Sequence, residues 1–320
     1  MLRVAATDAA LTALFDGSRH GPAPIEAGEQ AAEAGVAPAW LVERLAASGI
    51  AGADAEALLH RAPLDIRVNT LKADRATLAL PEAGERLFAP QGLRLPAGTK
   101  VEAWDAYAQG LIEIQDGGSQ LACEAVTARP GETVIDLCAG AGGKTLALAA
   151  MMANRGRLIA CDADRARLAR LAPRAARAGA IVETRLLDAG REMAALADLA
   201  VQADVVLIDA PCSGTGTWRR NPEARWRLTE RELARLVALQ ARLLDVAAGL
   251  LKPGGRLVFV TCSLLDAEGA GQFDAFLARH PGLAAQPLHI GAGEPRGPGI
   301  RLAPNRDGTD GFFFASARSS

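Results

Sequence analysis

The sequence predicts an α/β protein with a mostly parallel, doubly wound sheet of the Rossmann-like type and a smaller N-terminal α+β module. Three observations predict this class. Strand-like and helical segments alternate through the second half of the 320-residue chain, as in a parallel sheet covered by helices. The first of these strands runs into a glycine-rich turn that opens a helix. Half of the residues are apolar but only 4% are aromatic, which suits helices packed on a parallel sheet.

Residues 1–60 are rich in alanine and have helical periodicity. Apolar residues such as Leu41 and Leu45 recur four positions apart, and the Gly/Pro stretch 21–24 interrupts the pattern. We therefore expect a small helical segment. Because the chain opens abruptly in a helical pattern, we also expect that the natural protein extends further upstream.

Residues 61–116 predict a compact α+β module. Segment 64–69 alternates between apolar and polar residues like a half-buried strand, 73–79 predicts a short helix, and further short strands fall within 93–113. Gly117 and Gly118 follow, and a new helix is predicted over 119–127. We place the boundary of the module before Gly117.

Residues 117–320 predict one large domain in which strands and helices alternate in βαβ order. The predicted strands are 134–137, 157–161, 182–187, 205–208 and 256–262, and the predicted helices begin at Gly143, span 165–178, lie near Glu192 and span 230–251. The last helix carries a capping box formed by Thr229 and Glu232. It is followed by Pro253 and Gly254, which are typical of a helix end.

The glycine-rich turn follows the first strand of this domain. Glycine lets the backbone approach a ligand closely at the carboxyl end of a strand, where open sheets bind cofactors. A Walker A loop would need a glycine where Cys138 stands, and a dinucleotide fingerprint would need one at Thr145. An acid followed by alternating small residues instead indicates a loop for S-adenosylmethionine. Its predicted cofactor-binding residues are Cys138, Ala139, Gly140, Ala141, Gly142, Gly143 and Lys144.

Acidic residues end the next three predicted strands. Asp162 ends the second strand, where a carboxylate can accept hydrogen bonds from both ribose hydroxyls. Asp188 ends the third strand, near the expected position of adenine, and Asp209 ends the fourth. For Asp162 and Asp188 the alternative interpretation is a helix N-cap.

Two cysteines, Cys212 and Cys262, follow the fourth and fifth predicted strands. Because the carboxyl ends of neighbouring parallel strands meet at one edge, we expect both thiols to face the same crevice. Cys123 and Cys161 fall in apolar segments and are interpreted as small core residues. The odd count of five cysteines, without a CxxC pair or metal-ligand spacing, excludes a disulfide framework and predicts no metal site.

Two thiols beside a methyl donor fit the methylation of carbon 5 of cytosine. This carbon is a poor nucleophile, so a thiolate must first add to carbon 6 and turn the ring into an enamine that attacks the methyl group. A second group must then remove the carbon-5 proton so that the thiolate can leave. Asp209 can bind the ring nitrogen and exocyclic amine of the base, and Lys144 can supply positive charge that favours a thiolate.

Six parts of the chain resemble the Sun/Fmu family of RNA cytosine-C5 methyltransferases. They are 136–139 with 142–145 (DLCA, GGKT), 209–216 with 219–223 (DAPCSGTG, RRNPE), 261–263 (TCS), 67–72 (RVNTLK), 115–120 (QDGGSQ) and 310–313 (DGFF). The resemblance runs from about Trp40 to the C-terminus. Many family members have Ala-Pro where this chain has Gly140 and Ala141, and bacterial ribosomal members often carry an additional N-terminal helical domain.

The resemblance implies a class I methyltransferase dependent on S-adenosylmethionine, with Cys262 as nucleophile and Cys212 assisting product release. It implies that 61–116 is an RNA-binding module and that the substrate is RNA, and we expect this RNA to be 16S ribosomal RNA during rRNA processing. The cytosine must leave its stack to react, so unfolded or single-stranded RNA is the expected form.

The charge distribution does not by itself identify an RNA-binding protein. The formal net charge is −2, whereas nucleic-acid-binding domains are usually strongly basic. Arginines cluster, however, in the runs 165–177 and 219–231, and a local basic face can coexist with a near-neutral total. The alternative interpretation is that both runs are solvated helix faces.

Three other functions fit part of the sequence. A DNA cytosine methyltransferase uses the same adduct chemistry but places its nucleophile after the fourth strand, at Cys212; the second strand-end cysteine, Cys262, favours RNA. A ribosome-assembly factor without turnover would not need the two cysteines, Asp209 and Lys144. A small-molecule methyltransferase would leave the N-terminal module and the run 219–231 without a role.

No signal of export or membrane insertion is present in the sequence. Asp8 and Asp16 interrupt the N-terminal apolar stretch, and no run of about 18 uncharged apolar residues occurs. We expect a cytoplasmic protein that is monomeric and makes no membrane contact.

Overall fold

The computed structural model describes residues 9–18, 21–26, 28 and 35–320. The helices are α1 (Ala9–Thr12), α2 (Ala39–Ala47), α3 (Ala53–Ala57), α4 (Asp105–Ala108), α5 (Gly117–Val126), α6 (Gly143–Met151), α7 (Arg165–Ala169), α8 (Leu171–Ala178), α9 (Glu192–Ala195), α10 (Ala224–Arg227), α11 (Glu230–Leu250), α12 (Ala270–Arg279) and α13 (Pro304–Asp307). Half of the predicted capping box is present: the Glu232 amide donates to Thr229 Oγ1 at 3.2 Å, but the Glu232 carboxylate pairs with Arg235 rather than with the Thr229 amide.

The strands form two sheets. The strands are β1 (Leu64–Val68), β2 (Glu85–Arg86), β3 (Gly92–Leu95), β4 (Ile112–Ile114), β5 (Thr133–Asp136), β6 (Arg157–Asp162), β7 (Glu183–Leu186), β8 (Ala203–Asp209), β9 (Leu251–Thr261), β10 (Leu283–Gln286), β11 (Glu294–Arg296), β12 (Gly299–Leu302) and β13 (Phe312–Ser319). The antiparallel sheet has the order β2-β3-β1-β4, and the large sheet has the order β11-β12-β13-β9-β8-β5-β6-β7, with β10 also paired to β13.

The large sheet confirms the predicted Rossmann-like class. Strands β7, β6, β5, β8 and β9 are parallel, and β13 joins β9 in the antiparallel sense. The chain order reverses between β5 and β8, so a crevice opens beyond the carboxyl ends of these two strands. The acids and cysteines that follow the strands are therefore brought to one edge.

Two hydrophobic cores cover the two faces of this sheet. Ile135, Val206 and Phe259 belong to one core together with residues of α11 and α12. Their immediate neighbours Val134, Val205 and Val258 belong to the other core, together with residues of α5 and α6. Successive side chains of a strand point to opposite faces, so this division confirms that helices cover both faces.

The antiparallel sheet has a separate small core, which includes Ile66, Val68 and Trp104. The predicted helix at 73–79 is wrong, because the chain only turns at 75–77. The Asp74 side chain accepts a hydrogen bond from the Ala76 amide at 2.8 Å, and such local bonds compete with helix formation.

The predicted helix 165–178 is interrupted. It divides into α7 and α8 at Arg170, because Pro173 cannot donate a backbone hydrogen bond to the carbonyl four residues earlier. The break turns α8 toward the small sheet, where Arg174 and Arg177 both pair with the buried Glu113 of β4.

Helices α1, α2 and α3 confirm that part of 1–60 is helical. Residues 1–8, 19–20, 27 and 29–34 of that prediction lie outside the described residues. Leu41 and Leu45 share a core cluster with Trp218 and Leu265, which flank the loops after β8 and β9. The division into 1–60, 61–116 and 117–320 stays a prediction.

Candidate active site

The end of β5 holds a buried carboxyl, Asp136. Thr145 Oγ1, in the first turn of α6, donates to Asp136 Oδ2 at 2.7 Å, which fixes the two ends of the glycine turn to each other. Asp136 Oδ1 has no partner among the described residues although it is buried. Burial raises the pKa of Asp136 to about 7, and the charge of Asp209 adds to the increase while the Thr145 hydrogen bond opposes it.

The turn itself depends on two glycines with positive φ. A Cβ at Gly142 would lie 2.1 Å from Leu171 Cδ1, and a Cβ at Gly140 would lie 2.5 Å from an Arg167 guanidinium nitrogen. The backbone can therefore follow this path only without side chains at these positions. The Gly140 amide donates to Asp162 Oδ2 at 2.7 Å. This hydrogen bond connects the glycine turn to the end of β6.

Asp162 is not the N-cap of the following helix. Asp164 has that role, because its side chain accepts hydrogen bonds from the first amides of α7. Asp162 instead accepts from the amides of Gly140 and Asp164 at 2.7 Å each and lines a cavity of about 330 Å³. Its role toward a cofactor stays a prediction.

Asp188 lies two residues beyond the end of β7 and is exposed. Its neighbours Leu187 and Ala189 line the cavity, but Asp188 is not among the lining residues. Helix α9 begins at Glu192 with Arg191 at its N-cap, so Asp188 does not cap it. The structure thus places Asp188 at the edge of the cavity and leaves its predicted role to experiment.

Lys144 and Asp209 form a close ion pair with a Nζ–Oδ2 distance of 2.7 Å. Burial alone would lower the pKa of Lys144, but the charges of Asp209, Cys123 and Cys262 and the hydrogen bond to Asp209 together outweigh burial, so the net pKa is raised. Lys144 is therefore a cation throughout the physiological range. Its Nζ also lies 5.6 Å from the centre of the Phe312 ring.

The two strand-end cysteines meet at the mouth of the cavity. Cys212 Sγ and Cys262 Sγ lie 3.4 Å apart, and both residues line the cavity together with Cys138, Asp162 and Asp209. Both are partly exposed. The arrangement presents two thiols to one ligand, beside the ion pair of Lys144 and Asp209.

Cys212 and Cys262 are partly exposed, whereas Cys123 and Cys161 are buried. Burial raises the pKa of Cys123 to about 11 and that of Cys161 to about 12, so both remain protonated and unreactive. The pKa of Cys212 is also raised, mainly by its hydrogen bond with Cys262, then by burial and by the charges of Cys262 and Glu268.

Main-chain hydrogen bonds connect the loops that carry the two cysteines. The Gly216 amide donates to the Cys262 carbonyl at 3.0 Å, and the Gly311 amide donates to the Gly216 carbonyl at 2.8 Å. A Cβ at Gly216 would lie 2.1 Å from the Gly311 oxygen. Beside this contact, Asp310 pairs with Arg219 at 3.0 Å.

Sequence reasoning missed several cavity-lining residues. They are Leu187, Glu192, Arg167, Arg235, Leu239, Arg242 and Leu243. Four of them lie on α11 at helical spacing, which is a signal that could have been found once that helix was assigned to the site. Glu192 is buried and pairs with Arg242 at 3.0 Å.

The described part of the chain offers neither a metal site nor a membrane-spanning helix. No group of three or more His, Cys, Asp or Glu side chains there could hold a metal ion. Within the same residues, no helix has the length and apolar character needed to cross a bilayer.

The sheet order, the glycine turn and the cavity at the strand ends define a Rossmann-like methyltransferase fold. Comparison with known proteins then gives the family. A family model described as 16S rRNA methyltransferase RsmB/F matches residues 124–318. The chain belongs to this family, which confirms the resemblance found in the sequence.

Curated relatives agree with this assignment. Ribosomal RNA small subunit methyltransferase B of Erwinia tasmaniensis is 37% identical over 286 residues, covering 87% of this chain and 65% of that protein. The Klebsiella pneumoniae protein of the same name is 36% identical over 293 residues, with the same two coverages. The chain therefore spans just under two thirds of the length of these relatives.

Solved structures share the fold. The crystal structure of PH0851 has a TM-score of 0.79 and 35% identity, covering 88% of this chain and 66% of that one. A methyltransferase homologue from Pyrococcus horikoshii has a TM-score of 0.73 and 29% identity, covering 88% and 99%.

Proposed function

We propose that this chain transfers a methyl group from S-adenosylmethionine to carbon 5 of a cytosine in RNA, through a covalent adduct of Cys262. The substrate that we propose is 16S ribosomal RNA in an unfolded or single-stranded form, met in the cytoplasm by a monomeric protein. The observation that carries the proposal is the 3.4 Å separation of Cys212 Sγ and Cys262 Sγ at the mouth of the cavity. The relatives' names support ribosomal RNA as the substrate.

The residues around the cavity fit the proposed cofactor. Its volume of about 330 Å³ lies within the range of small-molecule sites, roughly 300–1,000 Å³. Asp162 carries a carboxylate suited to ribose hydroxyls. Asp136 is not itself a lining residue, but it directly precedes the lining residues Leu137 and Cys138, and its buried, unpartnered Oδ1 is an acceptor for a positive charge placed next to them. We assign cofactor binding to Asp162, Asp188, Asp209 and the turn 138–144. When bound, the cofactor supplies an electrophilic methyl group.

The chain's own residues account for activation of the base. Cys262 adds to carbon 6 as a thiolate: the sulfur–carbon bond forms as the π bond between carbons 5 and 6 opens, and the displaced electron pair makes carbon 5 nucleophilic. The cation of Lys144 stabilises negative charge near the thiols. Asp209 accepts a hydrogen bond from the exocyclic amine of the cytosine, and from the ring nitrogen once that nitrogen is protonated in the adduct.

Release of the product requires removal of the carbon-5 proton. The largest cause of the raised pKa of Cys212 is its hydrogen bond with Cys262, and this bond is lost once Cys262 Sγ is bound to the base. Cys212 can then ionise and accept the carbon-5 proton, after which the bond between carbon 6 and Cys262 breaks. The two thiols thus act in sequence.

The small antiparallel sheet is the RNA-binding module in this proposal. It is joined to the cofactor turn by Arg174, which donates to the Ala141 carbonyl at 2.7 Å and to Glu113 Oε2 at 2.9 Å. RNA held by 61–116 would therefore lie beside the cavity. A cytosine must be unstacked to reach the thiols, which favours single-stranded RNA.

Methyl transfer from labelled S-adenosylmethionine tests the proposal. We expect label in a 16S ribosomal RNA transcript, recovered as 5-methylcytidine after digestion to nucleosides. A single-stranded DNA of the same sequence serves as the matched control and should remain unlabelled. Label in any other nucleoside, or preferential labelling of the DNA, would refute the proposal.

A further inference from the structure

Glu268 is a buried carboxylate that contacts the residue next to Cys212. The Ser213 amide donates to Glu268 Oε1 at 2.9 Å, and the Ser213 hydroxyl donates to Glu268 Oε2. Gln240 Nε2 donates to Oε1 at 3.0 Å. No lysine or arginine pairs with Glu268 in the part of the chain that the structure describes. Neutral donors therefore satisfy this acid, and among the described residues no cation pairs with it.

The same residue holds the loop of the other cysteine through its main chain. Thr261 Oγ1 donates to the Glu268 carbonyl oxygen at 3.1 Å, and Thr261 directly precedes Cys262. Glu268 thus contacts the residue that follows one thiol and the residue that precedes the other. The two contacts differ, because the charged side chain is directed to the Cys212 loop and the neutral carbonyl to the Cys262 loop.

Three hydroxyls extend this contact across both loops. Ser213 Oγ and Ser263 Oγ are 3.2 Å apart, as are Ser263 Oγ and Thr215 Oγ1. The Leu264 amide donates to Thr215 Oγ1 at 2.8 Å. Because an ionised carboxylate only accepts, Ser213 must donate to Glu268, Ser263 to Ser213, and Thr215 to Ser263. One charge sets the direction of the whole chain of hydrogen bonds.

Cys212 and Cys262 carry the same functional group, so the surrounding structure must make them unequal. We propose that Glu268 is the positioning residue that does this, by keeping Cys212 protonated in the free protein and leaving Cys262 as the cysteine that ionises and attacks. This inference rests on the proposed two-thiol chemistry and names the residue that divides the roles. The pKa of Cys212 is raised first by its hydrogen bond with Cys262, then by burial and by the charge of Cys262, and the charge of Glu268 adds to these causes.

Thiol alkylation of the full chain, without RNA, tests the inference. Iodoacetamide reacts with thiolates, so limited labelling at a series of pH values, with each cysteine peptide quantified by mass spectrometry, gives a midpoint for each thiol. In the wild-type protein we expect Cys262 to be labelled at lower pH than Cys212. If the two thiols are labelled at the same pH, or if Cys212 is labelled at the lower pH, this wild-type result alone overturns the inference.

Glu268→Gln removes the charge and keeps the shape of the side chain. We expect the Cys212 midpoint to fall by about one pH unit, which is roughly tenfold faster labelling at a fixed pH below the midpoint. Glu192→Gln is the control, because Glu192 is also a buried acid but contacts neither cysteine loop and has its charge paired with Arg242. An unchanged Cys212 midpoint in Glu268→Gln, or an equal fall in the control, would contradict the inference.

Ser213→Ala separates charge from packing. It removes a hydroxyl donor to Glu268 but leaves the carboxylate, so the Cys212 midpoint should stay within about 0.3 pH units of wild type, well below the one-unit effect of losing the charge. A fall as large as that of Glu268→Gln would indicate a purely structural role. Because these experiments contain no RNA, their outcome is independent of whether labelled methyl groups reach cytosine.

Discussion

Lys144, in the first turn of α6, lies 2.7 Å from Asp209 at the end of β8, so one ion pair joins the helix that follows β5 to the strand on the other side of the crevice. Lys144 is also close enough for the charge of Cys262 to raise its pKa. The interaction is reciprocal, because a cation that is stabilised by a thiolate stabilises that thiolate in return. The pair therefore connects the proposed cofactor site to the proposed nucleophile.

Lys144→Met is expected to lower the rate of methyl transfer by roughly 100-fold or more, in the range usual for loss of an activating group. Removal of a nearby cation raises the pKa of a thiol, so the rise of the pH–rate profile should also move to higher pH. Single-turnover rates between pH 6 and 9 measure both effects. Lys252→Met is the matched control, since Lys252 pairs with Asp204 near the start of β8; a loss of equal size there would refute the role of Lys144.

Replacement of each cysteine by alanine is expected to have the opposite effect on the covalent RNA adduct. Cys212→Ala should accumulate an RNA–protein adduct that survives denaturation, because the thiolate of Cys262 can add but is not released. Cys262→Ala should form no such adduct. Denaturing gel electrophoresis with labelled RNA separates the two results. The reverse pattern would make Cys212 the nucleophile, as in the DNA enzymes, and would overturn the proposed assignment.

The sequence was sufficient to predict which residues follow the parallel strands. Strand periodicity gave β5, β6, β8 and β9, and their parallel order brings Asp162, Asp209 and both cysteines to one edge. These features depend on local pattern and on one general property of parallel sheets.

Other features depend on contacts between distant parts of the chain. Glu268 was not found from the sequence, because its partner Ser213 is 55 residues away and an acid in a polar loop has no periodic signature. The close approach of Gly216 to Gly311 is equally non-local. Such pairings become visible only when the loops are placed in space.

Asp162 and Asp164 offer a matched test of the cofactor site. Asp162→Asn should weaken binding of S-adenosylmethionine by roughly tenfold or more, because a carboxylate that can accept two hydroxyl donors is replaced by a group with one acceptor oxygen. Asp164→Ala removes only the N-cap of α7 and should lower the free energy of unfolding by about 1 kcal/mol with affinity nearly unchanged. Calorimetric titration and thermal unfolding of both variants provide the comparison. Equal affinity losses would show that Asp162 acts only by holding the turn.

Asp136 should make both stability and cofactor binding depend on pH. Its pKa is about 7 in the folded protein against an ordinary value of 3.8, so the folded state binds more protons between these values. The stabilisation is fully present below pH 3.8 and is lost as the pH rises through 7. The Asp136→Asn variant should lack this decrease in the free energy of unfolding.

Without cofactor, the folded protein favours the protonated form of Asp136. A cationic cofactor favours the ionised form instead, because a positive charge beside Asp136 stabilises the carboxylate. Binding of S-adenosylmethionine should therefore release a proton from the protein and become tighter as the pH rises from 6 to 8. Titration calorimetry in two buffers of different ionisation enthalpy measures the number of protons released. The difference between wild type and Asp136→Asn removes the contribution of the cofactor's own amino group. If the two proteins release equal numbers of protons at every pH, Asp136 does not respond to the cofactor. The proposed position of the cofactor's positive charge, beside the end of β5, is then wrong.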